Sequence, residues 1–322
     1  MKNTYIENIY KNVKFIYNNV SYDIYSKKYN LVPDEINSTL INQLKSTQNT
    51  LFSYSFILKY FNTPNKMYLF KTKNITLYVI YKRNIDLSFI KETLKRCEII
   101  IDIYKIQKHF DIKLIYSPYK KIIPKKGLLT SKHINSAYTY INSNDVYIVR
   151  KEEHEKVMIH EILHHVKSIQ NDNWSQKNIA DLKEHFNISK DCQLIPNEGV
   201  IELWALIYNS IFVSLYEKKS FKKILQSEIN HSIKNSNTIF NLQETYKDKI
   251  WNERSNVFCY IVIKTILLYN LKNLFKIYSF PYNTDVITRY IIDNSNHIKK
   301  NTNNINKKMT FTLNANSTSL PD

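Results

Sequence analysis

A chain of 322 residues that is 43% hydrophobic and 13% aromatic can bury one large core, or a catalytic domain with a smaller companion, which excludes a disordered chain. Its only two glycines, Gly127 and Gly199, exclude the glycine-rich loops that cradle phosphates or dinucleotides, so no nucleotide is expected. The formal charge of +18 would suit a polyanion, but the lysines are scattered among abundant Asn, Ile and Tyr, the mixture an AT-rich coding sequence produces. Nucleic-acid binding is therefore the lesser expectation, and the lysine clusters at 120–126, 218–223 and 299–308 read as solvated surface.

Three regions follow in chain order. Residues 1–125 form a mixed α/β amino-terminal region. Helical periodicity through 5–29 comes first, then β-branched and aromatic runs at 51–60, 67–71 and 75–81 that predict strands. Helical spacing returns over 86–109, with Asp86 or Ser88 as N-cap. Pro118, Pro124 and Gly127 mark a linker. Residues 126–295 then read as strand, strand, long helix and further helices, with strands at 135–140 and 145–149 and the helix over 153–170. Residues 296–322, rich in Asn, Ser, Thr and Lys, are expected to stay disordered and outside the fold.

No segment of 1–30 resembles the apolar core of a signal peptide. The longest apolar stretch, 200–216, falls short of a bilayer span and contains Glu202, so it predicts a buried helix and no membrane span. Cys97, Cys192 and Cys259 have no paired spacing, which argues against a disulfide framework. These features together predict a cytoplasmic or other intracellular protein, in a host cytoplasm or virion if the source is viral.

Chemistry concentrates at His160-Glu161-Ile162-Leu163-His164, an H-E-x-x-H pattern. On a helix, positions i and i+4 share a face, so both imidazoles can hold one ion at ~2.1 Å, the zinc distance. Glu161 on the same rim can take a proton from a water that the metal activates and pass it to a leaving amine. Ile159, Ile162, Leu163, Val166 and Ile169 would anchor the helix in the core. Two surface histidines on an ordinary helix are the bland alternative. His185 and Cys192 lack partners at metal-site spacing and read as a surface histidine and a buried thiol.

A third ligand is expected from the apolar helix that opens Pro196-Asn197-Glu198-Gly199, where Glu198, Glu202 and Asn209 fall on one stripe. Buried carboxylates cost several kcal/mol unless paired, so Glu198 and Glu202 should meet a metal, a cation or a hydrogen-bond network. A first-turn acid that favours the helix dipole is the alternative for Glu198.

These motifs resemble the gluzincin branch of the zincin metallopeptidases, in which a Glu on a following helix completes H-E-x-x-H. The Asn197-Glu198-Gly199 triplet is similar to the N-E-G of the aminopeptidase-type members, although 165–197 is longer than in those families. The resemblance covers about residues 135–209. It implies an α+β fold with a zincin-like catalytic domain, made of a small β-sheet, an active-site helix and C-terminal helices. It also implies a zinc metallopeptidase acting on a protein or peptide, with one Zn2+ per chain on His160, His164 and Glu198 and with Glu161 as general base. Glu202 is a rival ligand or a partner behind the first set. His165 permits an H-E-x-x-x-H reading similar to a tubulin-processing carboxypeptidase group. An edge strand through Asn135, Ser136 and Ala137 would hold substrate backbone. Tyr260 or Lys264 would steady the oxyanion, core packing being the alternative. The reading from another class is a catalytically inactive zincin-fold protein that binds partners through its basic surface.

Overall fold

The computed structural model describes residues 4–46, 55–61, 63–124, 128–139, 143–298 and 309–313, and it is a mixed α+β structure. The amino-terminal part runs α1 (Thr4–Asn19), β1 (Tyr25–Tyr29), α2 (Asp34–Ser46), α3 (Ser55–Phe61), β2 (Lys66–Lys71), β3 (Ile75–Tyr81), α4 (Leu87–Tyr104) and β4 (Phe110–Ile115). It continues through β5 (Leu129–Thr130), α5 (Ser131–Ile134), β6 (Ala137–Thr139), β7 (Asp145–Ile148), α6 (His154–Leu163), α7 (Gln176–His185), α8 (Pro196–Tyr216) and α9 (Phe221–Glu244). The last elements are β8 (Glu253–Arg254), a π-helical turn at Cys259–Ile263, α10 (Lys264–Tyr269), α11 (Leu271–Ile277) and α12 (Thr284–Asn294).

Among the described residues a six-stranded sheet has the order β1-β2-β3-β4-β7-β6, parallel across β3, β4 and β7 and antiparallel at both ends. Side chains alternate along each strand. Ile75, Leu77 and Val79 of β3 and Val146 and Ile148 of β7 enter the main core beneath α1, α4, α6 and α8, while Ile80 and Tyr147 face a second core with Leu40 of α2 and Ile57 of α3. The sheet is thus covered on both faces, and β6 lies at its edge.

Four expectations change. First, one sheet runs across the boundary expected at 125. β4 pairs with β7 across it, because burying the parallel centre of the sheet requires strands from both sides; Pro118 and Pro124 lie in the crossover, and Gly127 is outside the described residues. Second, the part of 51–60 that is described belongs to helix α3. Ile57 and Tyr60, three residues apart, place one helical face on the second core, and that burial overrides β-propensity. Third, the helix predicted through 29 ends at Asn19, since Tyr25–Tyr29 pairs with β2 instead. Fourth, within the segment expected to be disordered, Met309, Phe311 and Thr312 are buried, because Glu153, the N-cap of α6, and buried side chains of α9 hold the backbone of 309–313. The remainder of 299–322 lies outside the described residues.

Other expectations hold with small shifts. Asp86 caps α4, accepting from the Ser88 and Phe89 amides at 3.0 and 3.1 Å. Cys97, Cys192 and Cys259 are free and buried. The helix around 200–216 is longer than expected. At 21 residues α8 is long and apolar enough to cross a membrane, but 89% of its most apolar stretch is buried inside the fold.

Candidate metal centre

Helix α6 is buried along its whole length between the sheet, α4 and α8, and this fixes the direction of its polar residues. It is shorter than the predicted 153–170. The amides of His165 and Val166 bond to carbonyls three residues back, at 3.0 Å each, which tightens the last turn and swings the chain toward Gln170. At the other end Glu153 takes a left-handed φ of 60°, a conformation that costs energy outside glycine. Its carboxylate is tied to Lys121, and it accepts from the Thr312 amide at 2.8 Å. Lys121, read as solvated surface, is therefore a buried partner of Glu153.

Among the described residues, one group of three His, Cys, Asp or Glu side chains brings its ligand atoms within 4.8 Å of one another, namely His160, His164 and Glu198. His160 Nε2 stands 3.2 Å from His164 Nε2, and Glu198 Oε2 is 3.3 Å from the first and 3.5 Å from the second. Donor atoms ~2.1 Å from one tetrahedral ion stand ~3.4 Å apart, so the triangle has the size of one face of a zinc tetrahedron. Glu198 Oε2 is buried without a hydrogen-bond partner, as an atom reserved for an ion would be.

The outer nitrogens account for the orientation of both rings. His160 Nδ1–H donates to Glu202 Oε2 at 2.9 Å, and Glu202 Oε1 accepts from Lys156. His164 Nδ1–H donates to Gln170 Oε1 at 3.1 Å, and the same oxygen accepts from Asn197 Nδ2 at 2.8 Å. Asn197 Oδ1 in turn accepts from Tyr282 OH at 2.6 Å and from the Asn171 amide at 3.1 Å. With Nδ1 protonated in each ring, both Nε2 lone pairs face Glu198.

The electrostatics follow from this packing. Burial alone would lower the His160 pKa, but the Glu198 and Glu202 carboxylates overcome it and lift it to about 10. Burial likewise acts to lower His164, and Glu198 raises it. Burial would raise the Glu198 pKa, but His164 and His160 hold it far below the ordinary glutamate range. The space between the imidazoles thus favours positive charge, whether protons or a divalent ion. Glu161 behaves oppositely, since burial raises its pKa against the pull of His160 and His164.

Glu161 lines a cavity of about 30 Å3 with Lys121, Asn135, Ser136, Ala137, Lys156, His160, Tyr260 and Phe311, space for about one water. Asn135 and Ser136, which lead into β6, and Ala137 at its start thus line the same cavity as His160 and Glu161. Tyr260 also belongs here, its ring 5.9 Å from that of His160.

Other predicted residues land elsewhere. Glu202, the other carboxylate of the Glu198 stripe, stands outside the triangle and bonds the far nitrogen of His160. His165 also lies outside the triangle. The turn that ends α6 points its ring at Lys108 Nζ, 3.2 Å away, and against Phe110, centroid to centroid 5.1 Å. Lys264 is buried behind the site, donating to Ser232 Oγ at 2.8 Å, too deep for an oxyanion donor. Asn209 shares the stripe of Glu198 and Glu202, but its amide meets no hydrogen-bond partner among the described residues, and nothing in the structure explains it. His185 bonds Ser295 Oγ at 2.8 Å, apart from the triangle.

Sequence reasoning missed Gln170, Lys156 and Phe311. Gln170 is separated from His164 by a turn that no periodicity announces. Lys156 lies one helical turn before His160, so its i, i+4 spacing could have suggested a partner for the Glu202 carboxylate. Phe311 sits in a polar tail whose composition hides it.

Gly199 completes the account of its triplet. A Cβ there would lie 2.7 Å from Ile263 Cγ2 and 2.9 Å from the Cys259 carbonyl oxygen. Only glycine lets α8 approach the π-helical turn that carries Tyr260, and such turns often mark functional sites. Gly199→Ala is expected to destabilise the protein by ~1–3 kcal/mol through overpacking, read from the urea unfolding midpoint, and to disturb Tyr260 and Glu198 together. An unchanged midpoint would show that the turn yields.

No protein-family model, curated protein or solved structure matches this chain. The functional reading therefore rests on the site alone.

Proposed function

We propose that this chain is a metal-dependent hydrolase of peptide bonds, with zinc on His160, His164 and Glu198 and with Glu161 as general base. The observation that carries the reading is the triangle of three ligand atoms 3.2 to 3.5 Å apart, with both outer imidazole nitrogens already donating to acceptors. A bound zinc ion would acidify a water and polarise a carbonyl. Glu161 faces the cavity with a raised pKa and can accept a proton there and return it to a leaving amine. Residues 135–137, which line the same cavity and lead into the edge strand β6, would align a substrate backbone. Tyr260 is the candidate for steadying negative charge on the reacting oxygen.

The narrowness of the cavity favours a second reading, in which the metal is structural and the protein binds partners. The experiment for both starts with metal content by mass spectrometry. One zinc per chain is expected, lost in His164→Ala and Glu198→Ala and retained at reduced affinity in Glu202→Ala, which removes only the support of His160. No zinc after reconstitution would end both readings. Zinc without hydrolysis of any member of a peptide library would leave the second.

A further inference from the structure

Resting on the peptidase reading, we infer that Met309–Leu313 is a resident occupant of the substrate cleft and that the cleft is built for an extended peptide presenting an aromatic side chain. Phe311 is 5% exposed and lines the same cavity as His160 and Glu161. Its ring centroid lies 5.7 Å from that of Tyr260, with Lys121 Nζ 4.1 Å and Lys156 Nζ 5.1 Å from it. Two buried lysine side chains over one ring make a subsite that rewards an aromatic side chain above an aliphatic one.

The backbone around Phe311 is gripped as a bound peptide would be, mostly by side chains, with the Met309 amide donating to the Lys121 carbonyl at 3.4 Å. The Thr310 carbonyl accepts from Asn235 Nδ2 at 2.7 Å and from His231 Nε2 at 2.9 Å. The Thr312 amide donates to Glu153 Oε1 at 2.8 Å, the Thr312 hydroxyl to Glu228 Oε1 at 2.5 Å and the Leu313 amide to Glu228 Oε2 at 3.0 Å. Glu228, His231 and Asn235 share one face of α9, at spacings of three and four residues. Most of these bonds read main-chain groups that any peptide carries; the demands specific to side chains are an aromatic ring and a hydroxyl one residue after it. A substrate of that class would enter by displacing Met309–Leu313.

The test uses the full chain. Phe311→Ala and a variant with 309–313 replaced by Gly-Ser-Gly-Ser-Gly are titrated with a fluorescein-labelled heptapeptide, Lys-Met-Thr-Phe-Thr-Leu-Asn, and with its Phe→Ala counterpart, by fluorescence anisotropy. Both variants are expected to bind the Phe peptide more than about tenfold tighter than wild type does, since the ring then finds its subsite vacated, and to bind the Ala peptide weakly. Hydrolysis by Phe311→Ala should rise and favour peptides with an aromatic residue. Variants that fold, by thermal melting, but bind no better than wild type would make the segment a permanent wall and overturn the inference, as would unfolding of both. Peptide binding without hydrolysis would keep the inference and end the peptidase reading; hydrolysis without aromatic preference would do the reverse.

Discussion

Glu161→Gln is expected to keep one metal ion per chain while peptide hydrolysis falls by ~10^2–10^4-fold, the usual contribution of a positioned general base. The amide preserves the shape of the side chain and removes its ability to accept a proton, so metal content measured beside the rate separates loss of chemistry from loss of the site. The pH profile gives a second reading. Burial raises the Glu161 pKa although His160 and His164 oppose it. If Glu161 is the proposed base, its carboxylate is the active form, so the wild-type rate should fall as pH drops through that raised value, and Glu161→Gln should lose this limb. A variant within about threefold of wild type would remove Glu161 from the mechanism and leave the metal triangle without its proton acceptor.

Lys156→Met is expected to destabilise the fold by ~3–5 kcal/mol, because it strands the Glu202 carboxylate, 1% exposed, with His160 as its remaining close partner. Urea unfolding followed by circular dichroism measures it. Lys156→Met combined with Glu202→Gln should recover most of the loss, since an amide oxygen can still accept the His160 Nδ1–H and no charge is left unpaired. A single variant that loses less than about 1 kcal/mol, or a double that recovers nothing, would show that the pair does not hold this part of the core.

The sign of the pH dependence is fixed by the same contacts. Burial would raise the Glu202 pKa, but Lys156 and His160 pull it down to about 2 from the ordinary 4.5. A lowered folded-state value means that the contribution is complete above pH 4.5 and is lost as pH falls toward 2. In Glu202→Gln, acid unfolding in that window should lose this component.

How legible this was in the sequence differs from element to element. β2, β3, β7 and α4 announce themselves through local period and caps, because each buries one face in a pattern that repeats within a few residues. Met309–Leu313 and α3 do not, since what orders them is contact with residues distant in the chain. For the site, His160, Glu161 and His164 lie within a single helical turn and a little more, so their convergence is a property of helix geometry. Glu198 was legible through the anomaly of acids on an otherwise apolar helix.

The choice between Glu198 and Glu202 was not legible in the same way. Both lie on the same stripe, one turn apart, and only the packing angle of α8 on α6 places Glu198 at the Nε2 side of His160 and Glu202 at its Nδ1 side. His165 is turned toward Lys108 by a helix end set by the turn to Gln170, and Tyr260 lines the cavity because Gly199 admits the π-helical turn. By itself the sequence determined which residue types could bind a metal and where a helix would align two of them, since those are facts of local spacing. Tertiary structure alone decided which carboxylate stands beside both Nε2 atoms, the partners behind both imidazoles, the continuity of the sheet across residue 125 and the presence of Phe311 beside Glu161. Each of these depends on the relative placement of elements far apart in sequence, which burial of the common core sets and no short stretch of residues encodes.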